Sequence, residues 1–178
     1  MDEDAVLVQQ CLNGNQKAFE VIVDRYQKPI FNAALRVLND CEDAADVTQT
    51  AFVKAYENLH RFNARYKFFS WLYKIAVNEA LNFFNQRKHF GEFDEDIAST
   101  EKTPEETYND IEIGQKIQNS IMNLRFDYRV VLVLSHFQDL SYKEISYILD
   151  IPEKTVKSRL FTARQLLKNM LLKENLAI

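Results

Sequence analysis

The stretch SYKEISYILDIPEKTVKSRLFTARQLL, residues 141–167, decides how the whole chain is read. Ser141, with Glu144 three residues later, is a capping box and predicts a helix start. Pro152 drives Ile151 away from helical angles, which ends that helix, and proline is well suited to open the next one. In the second helix Val156, Leu160, Ala163 and Leu167 recur at the spacing of one buried face. The opposite face carries Lys154, Lys157, Ser158, Phe161, Thr162 and Gln165, with Thr155 beside them. Phe161 is a large ring where water would favour a polar side chain. Two short helices joined by a tight break, the second one basic, are how a protein presents a reading helix to the DNA major groove. Lys157 suits guanine acceptors, Gln165 suits adenine, and Phe161 suits a thymine methyl. Arg159 and Arg164 lie on the flanks, where phosphate contact is the natural role. A solvated amphipathic surface is the commoner fate of such a helix. The break at Pro152, the capped helix before it and the aromatic at 161 favour DNA.

Composition sets the frame around that stretch. The chain has 178 residues, 47% of them hydrophobic, which suits one or two domains with real cores. Glycine and proline number three each, too few for a turn-rich sheet protein, so an all-α fold is expected. The N-terminal MDEDAVLVQQ is acidic and polar, unlike a secretory signal or transit peptide. No apolar run approaches the roughly 18 residues of a membrane span. A cytoplasmic protein without membrane insertion is expected, with Cys11 and Cys41 as ordinary reduced thiols. P-loop, G-x-S-x-G and H-E-x-x-H motifs are absent, and His60, His89 and His136 have no partner in sequence. No enzyme activity, metal or cofactor is expected.

The formal net charge of −4 hides a division. Residues 1–60 hold five bases and ten acids, 61–91 six bases and one acid, 92–112 one base and nine acids, and 113–178 ten bases and six acids. Acidic and basic segments therefore alternate, leaving two basic regions for phosphate contact. Three parts follow: a helical domain at 1–91, a flexible, self-repelling acidic linker at 92–112, and a second helical domain at 113–178.

In the first domain AFEVIVDRYQKPIFNAALRVL, residues 18–38, is apolar at helical spacing and interrupted by Pro29. CEDAADVTQTAFVKAYENL, residues 41–59, packs through Ala44, Val47, Ala51 and Ala55. Its second stripe, Asp46, Gln49, Thr50 and Val53, mixes polar and apolar groups in the way a protein-docking face often does, although composition alone favours plain solvation. RFNARYKFFSWLYKIAVNEALNFFNQRKH, residues 61–89, interleaves eight Phe, Tyr and Trp rings with six cations. Rings that stack bases, beside cations that follow the backbone, suit single-stranded DNA. A helix starting near Ser70 sets Lys74, Asn78 and Asn82 in one line, while several of the rings belong to the core.

These residues resemble a bacterial RNA polymerase sigma factor of the extracytoplasmic-function (ECF) group. The resemblance covers nearly the whole chain: residues 18–52 and 61–88 resemble region two, and residues 124–167 resemble region four. It implies a promoter-specificity subunit that binds core RNA polymerase and promoter DNA, is often held by an anti-sigma factor, and has no catalysis of its own. It implies that Asp46, Gln49, Thr50 and Val53 dock on the clamp helices of the largest polymerase subunit. The usual family run there is Asp-Ala-Glu-Asp-x-x-Gln-Glu. This chain has Asp43-Ala44-Ala45-Asp46-Val47-Thr48-Gln49-Thr50, with two acids replaced. By the same resemblance the loop 62–68 and the helix after it read the −10 element as a single strand, through Asn63, Arg65, Tyr66, Lys67, Phe68, Trp71, Lys74, Asn78 and Asn82. Residues 154–165 then read the −35 element in the major groove, and 92–112 replaces region three in the RNA-exit path.

Overall fold

The computed structural model describes residues 3–90 and 108–173. The described residues are all-α: α1 Glu3–Leu12, α2 Gln16–Leu38, α3 Cys41–Glu57, a 3₁₀ turn Leu59–Arg61, α4 Phe68–Phe90, α5 Tyr108–Met122, α6 Phe126–His136, α7 Tyr142–Leu149 and α8 Glu153–Lys173. The expected linker, 92–112, lies mainly outside the described residues. Its end is corrected: helix α5 already begins at Tyr108, and an i,i+4 pair of Glu112 with Lys116 (2.7 Å) supports its first turns.

Pro29 does not interrupt α2 as expected. Proline inside a helix costs about 3 kcal/mol through a lost hydrogen bond and a clash. Burial of an isoleucine gives back about 1.5–3 kcal/mol, and Ile22 and Ile30 flank the proline with essentially no exposure. The helix runs on to Asn39, whose left-handed backbone ends it and whose N–H bonds the Leu35 carbonyl at 2.7 Å. Asp40 then caps α3, accepting from the Asp43 N–H at 2.9 Å. The predicted buried stripe of α3, Ala44, Val47, Ala51 and Ala55, is wholly enclosed. These small residues let α3 lie close between α2 and α4.

In the second half the capping box is present as predicted. The Ser141 hydroxyl accepts from the Glu144 N–H, and the Glu144 carboxylate accepts from the Ser141 N–H at 2.9 Å. Asp150, left-handed at φ 55°, closes α7 after two turns, and Pro152 accepts the N–H of Val156 as α8 begins.

The two halves pack on each other. One continuous core joins Ile22, Ile30, Leu72 and Tyr73 to Val130, Leu134, Ile145 and Leu160. Arg129 on α6, 5% exposed, sends Nη1 to the Val37 carbonyl at the end of α2 (2.6 Å). Its Nη2 meets the carbonyls of Met122 (2.6 Å) and Leu124 (3.1 Å) at the end of α5. One cation thus caps the negative ends of two helices, one from each half. Burial pushes its pKa down to about 10. The Tyr73 hydroxyl on α4 lies 2.9 Å from the Pro29 carbonyl and 2.6 Å from Oε1 of Gln138, and Phe84 meets Phe126 at 4.8 Å.

Candidate nucleic-acid and partner interfaces

The first site is the outward face of α8. Val156, Leu160 and Ala163 are buried as predicted, which turns Lys154, Lys157, Ser158, Phe161 and Gln165 to solvent. Phe161 is 66% exposed, the most open large apolar side chain among the described residues. Thr155, Arg159 and Thr162 are half-buried at the edges. The flanking cations already have partners inside the protein. Arg159 pairs with Asp127 (3.4 Å), and Arg164 Nε donates to His136 Nε2 (3.0 Å). That bond requires an unprotonated Nε2. Burial and the Arg164 charge push the His136 pKa down, with Asp139 pulling the other way. Lys157 sits 5.7 Å over the Tyr142 ring, which ties α8 to α7.

The second site is the loop before α4 and the first turns of that helix. Asn63 organises the loop, its side-chain oxygen accepting from the Arg65 N–H and its carbonyl from the Tyr66 N–H, both at 3.0 Å. Arg65, Tyr66 and Lys67 are exposed, and so are Asn78 and Asn82 further along α4. Phe68 is a correction to the candidate set. It has no exposure and packs on Phe62 and Trp71 at 5.4 and 5.5 Å, so its ring is core that supports the loop. Trp71 is half-buried in the same cluster.

Three members of this site touch α7. Tyr66 stacks on Tyr147, with centroids 4.0 Å apart and planes 16° from parallel. Lys67 Nζ is 2.7 Å from Glu144 Oε1. Lys74 Nζ lies 4.0 Å from Asp150 Oδ1 and 5.1 Å over the Tyr147 ring. Burial alone would raise the Glu144 pKa, but the bonds from Lys67 and Ser141 outweigh it and hold the carboxyl below its usual range.

The third site is a groove of about 920 Å³ between α2 and α3. Gln49 and Val53 of the predicted stripe line it, and Val53 is 51% exposed. Asp46 is exposed and Thr50 half-buried outside the groove lining. Sequence reasoning missed the groove's other wall and floor, Phe19, Val23, Phe52 and Tyr56. Phe19 meets the Tyr56 ring edge-on at 4.9 Å. The available signal was the pairing of Phe19 with Val23 and of Phe52 with Tyr56 at i,i+4, facing each other across the helices.

Residues 22–90 match the family description "Sigma-70 region 2", and residues 114–167 match "Sigma-70, region 4". The ECF RNA polymerase sigma factor SigW of Bacillus subtilis (strain 168) is 35% identical over 176 residues, covering 92% of this chain and 94% of that protein. The ECF RNA polymerase sigma-E factor of Escherichia coli (strain K12) is 36% identical over 178 residues, covering 93% of each. Among solved structures, CnrH in complex with the cytosolic domain of CnrY superposes with a TM-score of 0.75 at 25% identity, covering 96% of this chain and 97% of that one. No helix among the described residues is long and apolar enough to cross a membrane. Both regions match in order, and full-length relatives exceed 30% identity, so the chain belongs to the sigma-70 family of promoter-specific transcription initiation factors, in its ECF group.

Proposed function

We propose that this sigma factor works as a cytoplasmic, non-catalytic subunit that carries core RNA polymerase to promoters with two separately read elements. The observation that carries the reading is the outward face of α8, where a 66% exposed phenylalanine stands among lysines, hydroxyls and an amide. In this reading Lys154, Thr155, Lys157, Ser158, Phe161, Thr162 and Gln165 enter the major groove of the −35 element. Arg159 and Arg164 exchange Asp127 and His136 for phosphates. Asn63, Arg65, Tyr66, Lys67, Trp71, Lys74, Asn78 and Asn82 take the −10 element as a single strand, by stacking and backbone contact. A base drawn from the duplex costs a few kcal/mol, which such stacking offsets.

The groove between α2 and α3, with Asp46 and Thr50 at its side, takes the polymerase. Gln49 and Val53 give it one amide and one apolar contact inside a ring-lined trough. An anti-sigma factor is the expected regulatory partner, and the similar protein CnrH is likewise found in complex with a second protein, the cytosolic domain of CnrY. The parts divide as 1–91 for polymerase and −10 contact, a linker that ends where α5 begins at Tyr108, and the helices from α5 onward for −35 contact.

The test is run-off transcription on a fragmented bacterial genome, with core polymerase alone and with this protein added. Discrete new start sites sharing two upstream elements are the expected result. If no new starts appear while the protein alone binds a duplex operator tightly and specifically, it is a free-standing regulator and the reading fails.

A further inference from the structure

Helix α7 and its C-cap engage three residues of the proposed strand-reading site with groups that resemble a nucleic acid. A flat ring, Tyr147, lies parallel on Tyr66 at 4.0 Å, where a base would stack. A carboxylate, Glu144, takes Lys67 at 2.7 Å, where a phosphate would sit. A second carboxylate, Asp150, lies 4.0 Å from Lys74. All three covering groups come from residues 144–150, the helix that precedes the duplex-reading α8.

We propose that α7 is an internal mimic of the −10 strand, so that the closed chain and strand binding exclude each other while the −35 face stays open. This rests on the strand-reading role proposed above for residues 63–82.

The asymmetry lies in which half supplies the partner. Tyr66, Lys67 and Lys74 of the first half are engaged by residues 144–150 of the second, whereas Lys157 and Arg159 of α8 are engaged within their own half and Lys154, Ser158 and Phe161 remain exposed. Size gives the same answer independently. Elements named for positions −35 and −10 lie about 25 base pairs apart, roughly 85 Å at 3.4 Å per step. A compact chain of 178 residues has a radius of gyration of about 16 Å. A closed chain cannot touch both elements, so promoter reading requires α7 to leave α4.

The mimic pairs hold the halves together only in part. Lys67 is 70% exposed and Asp150 91% exposed, and removing ion pairs so open shifts a closed-to-open ratio by no more than a few-fold each. Most of the closure comes from the joint core and the Arg129 cap, and α7 adds the chemistry that makes the strand a competitor. By linkage, whatever opens the halves raises strand affinity, and a bound strand opens the halves to the same degree.

The experiment compares the full chain with E144Q/D150N and E144Q/Y147A/D150N. Gln at 144 preserves the capping box and Asn at 150 tolerates its left-handed backbone, so the double variant keeps α7 folded even where the triple does not. One sample series carries a dye pair on Cys41 and on L172C in a C11S background; Cys41 and Leu172 are both exposed. The other series measures anisotropy of a labelled 12-nucleotide single-stranded DNA pool of random sequence.

Opening of the dye pair is expected in both variants, with strand affinity severalfold tighter in the double and about tenfold tighter in the triple. A closed form in tenfold excess weakens apparent affinity by about that factor. Saturating the unmodified protein with the pool should also separate the dyes. Equal, measurable affinities in an opened variant and the unmodified protein would overturn the mimic alone. No binding by any chain, opened ones included, would overturn the strand-reading role itself. Dyes equally far apart in all three proteins would show that Glu144, Tyr147 and Asp150 take no part in closure and would also end the proposal.

Discussion

Replacing Arg129 with methionine removes a guanidinium that caps the C-terminal ends of two helices while keeping most of the side chain's reach. Three carbonyls lose their donor: Met122 and Leu124 in the same half, and Val37 across the interface. A buried acceptor left without a partner costs about 1–3 kcal/mol. The lower figure applies, because removing a charge whose pKa burial has driven down to about 10 relieves part of the loss. The total is then about 3 kcal/mol. About 2 kcal/mol of it falls on folding of the C-terminal half and about 1 kcal/mol on docking of the halves, since one carbonyl in three lies across the interface. With a urea slope of about 1–3 kcal/mol per molar, the first part lowers the unfolding midpoint by roughly 1 M, read by far-UV circular dichroism. The second part reduces the closed-to-open ratio about fivefold, read by the dye pair on Cys41 and L172C. A midpoint within about 0.3 M of the original, together with an unchanged dye distance, would refute the reasoning and mean that water replaces the guanidinium without loss. R129K is the control. A single ammonium cannot match a planar fork aimed at two helix ends, so most of the loss should remain.

The remaining predictions concern α8, the proposed reading helix, and its flank. F161A should change stability by no more than about 0.5 kcal/mol, because the ring is exposed, yet reduce transcription from cognate promoters by about five- to a hundredfold. A loss that persists undiminished when the thymines of the −35 element are replaced would assign the ring to something other than base contact. The His136 imidazole should titrate below its ordinary 6.5 in an NMR experiment, and R164A should move it upward. A histidine held below its unfolded value stabilises the fold fully above about 6.5, and that contribution is lost as pH falls. Docking of α8 on α6 should therefore weaken on acidification through this range, and a midpoint at or above 6.5 would refute the bond.

Local chemistry was the legible part of this protein. The capping box at 141–144, the stop at Pro152 and the buried stripe of α8 from Val156 to Ala163 each depend on residues within a turn or two of one another, and each stands where the sequence puts it, while Leu167, expected in the same stripe, is only half-buried. Pro29 was misread for the opposite reason. The break it favours is a local preference, and it is overruled by Ile22 and Ile30 packing on elements far along the chain. The linker's end was placed too late because counting acids cannot tell a solvated helical turn from a solvated coil, and α5 begins at Tyr108 within the acidic stretch. At the proposed strand-reading site, composition could say that some of the eight rings are core but not which. Phe68 and Trp71 both pack on Phe62, at 5.4 and 5.7 Å, yet Phe68 is enclosed and Trp71 half-buried, a difference set by tertiary surroundings.

The acidity of the chain has its explanation in pairings that sequence order conceals. Lys67 and Glu144 are 77 positions apart, so segment-by-segment counting assigns them to separate basic regions of the chain. In the folded protein they neutralise each other, as Lys74 and Asp150 begin to do and as Arg159 does with Asp127. A net charge of −4 is then compatible with the two DNA-reading faces proposed above, because several of their cations are matched by acids of the same chain until DNA replaces them. That replacement releases a carboxylate to water for every phosphate gained, so it lowers the net attraction of the free protein for arbitrary DNA. Affinity survives where stacking and base-edge contacts are added, as at a promoter opened by the polymerase. Intramolecular acids therefore act on specificity: they subtract a sequence-independent contribution and leave the sequence-dependent one in place.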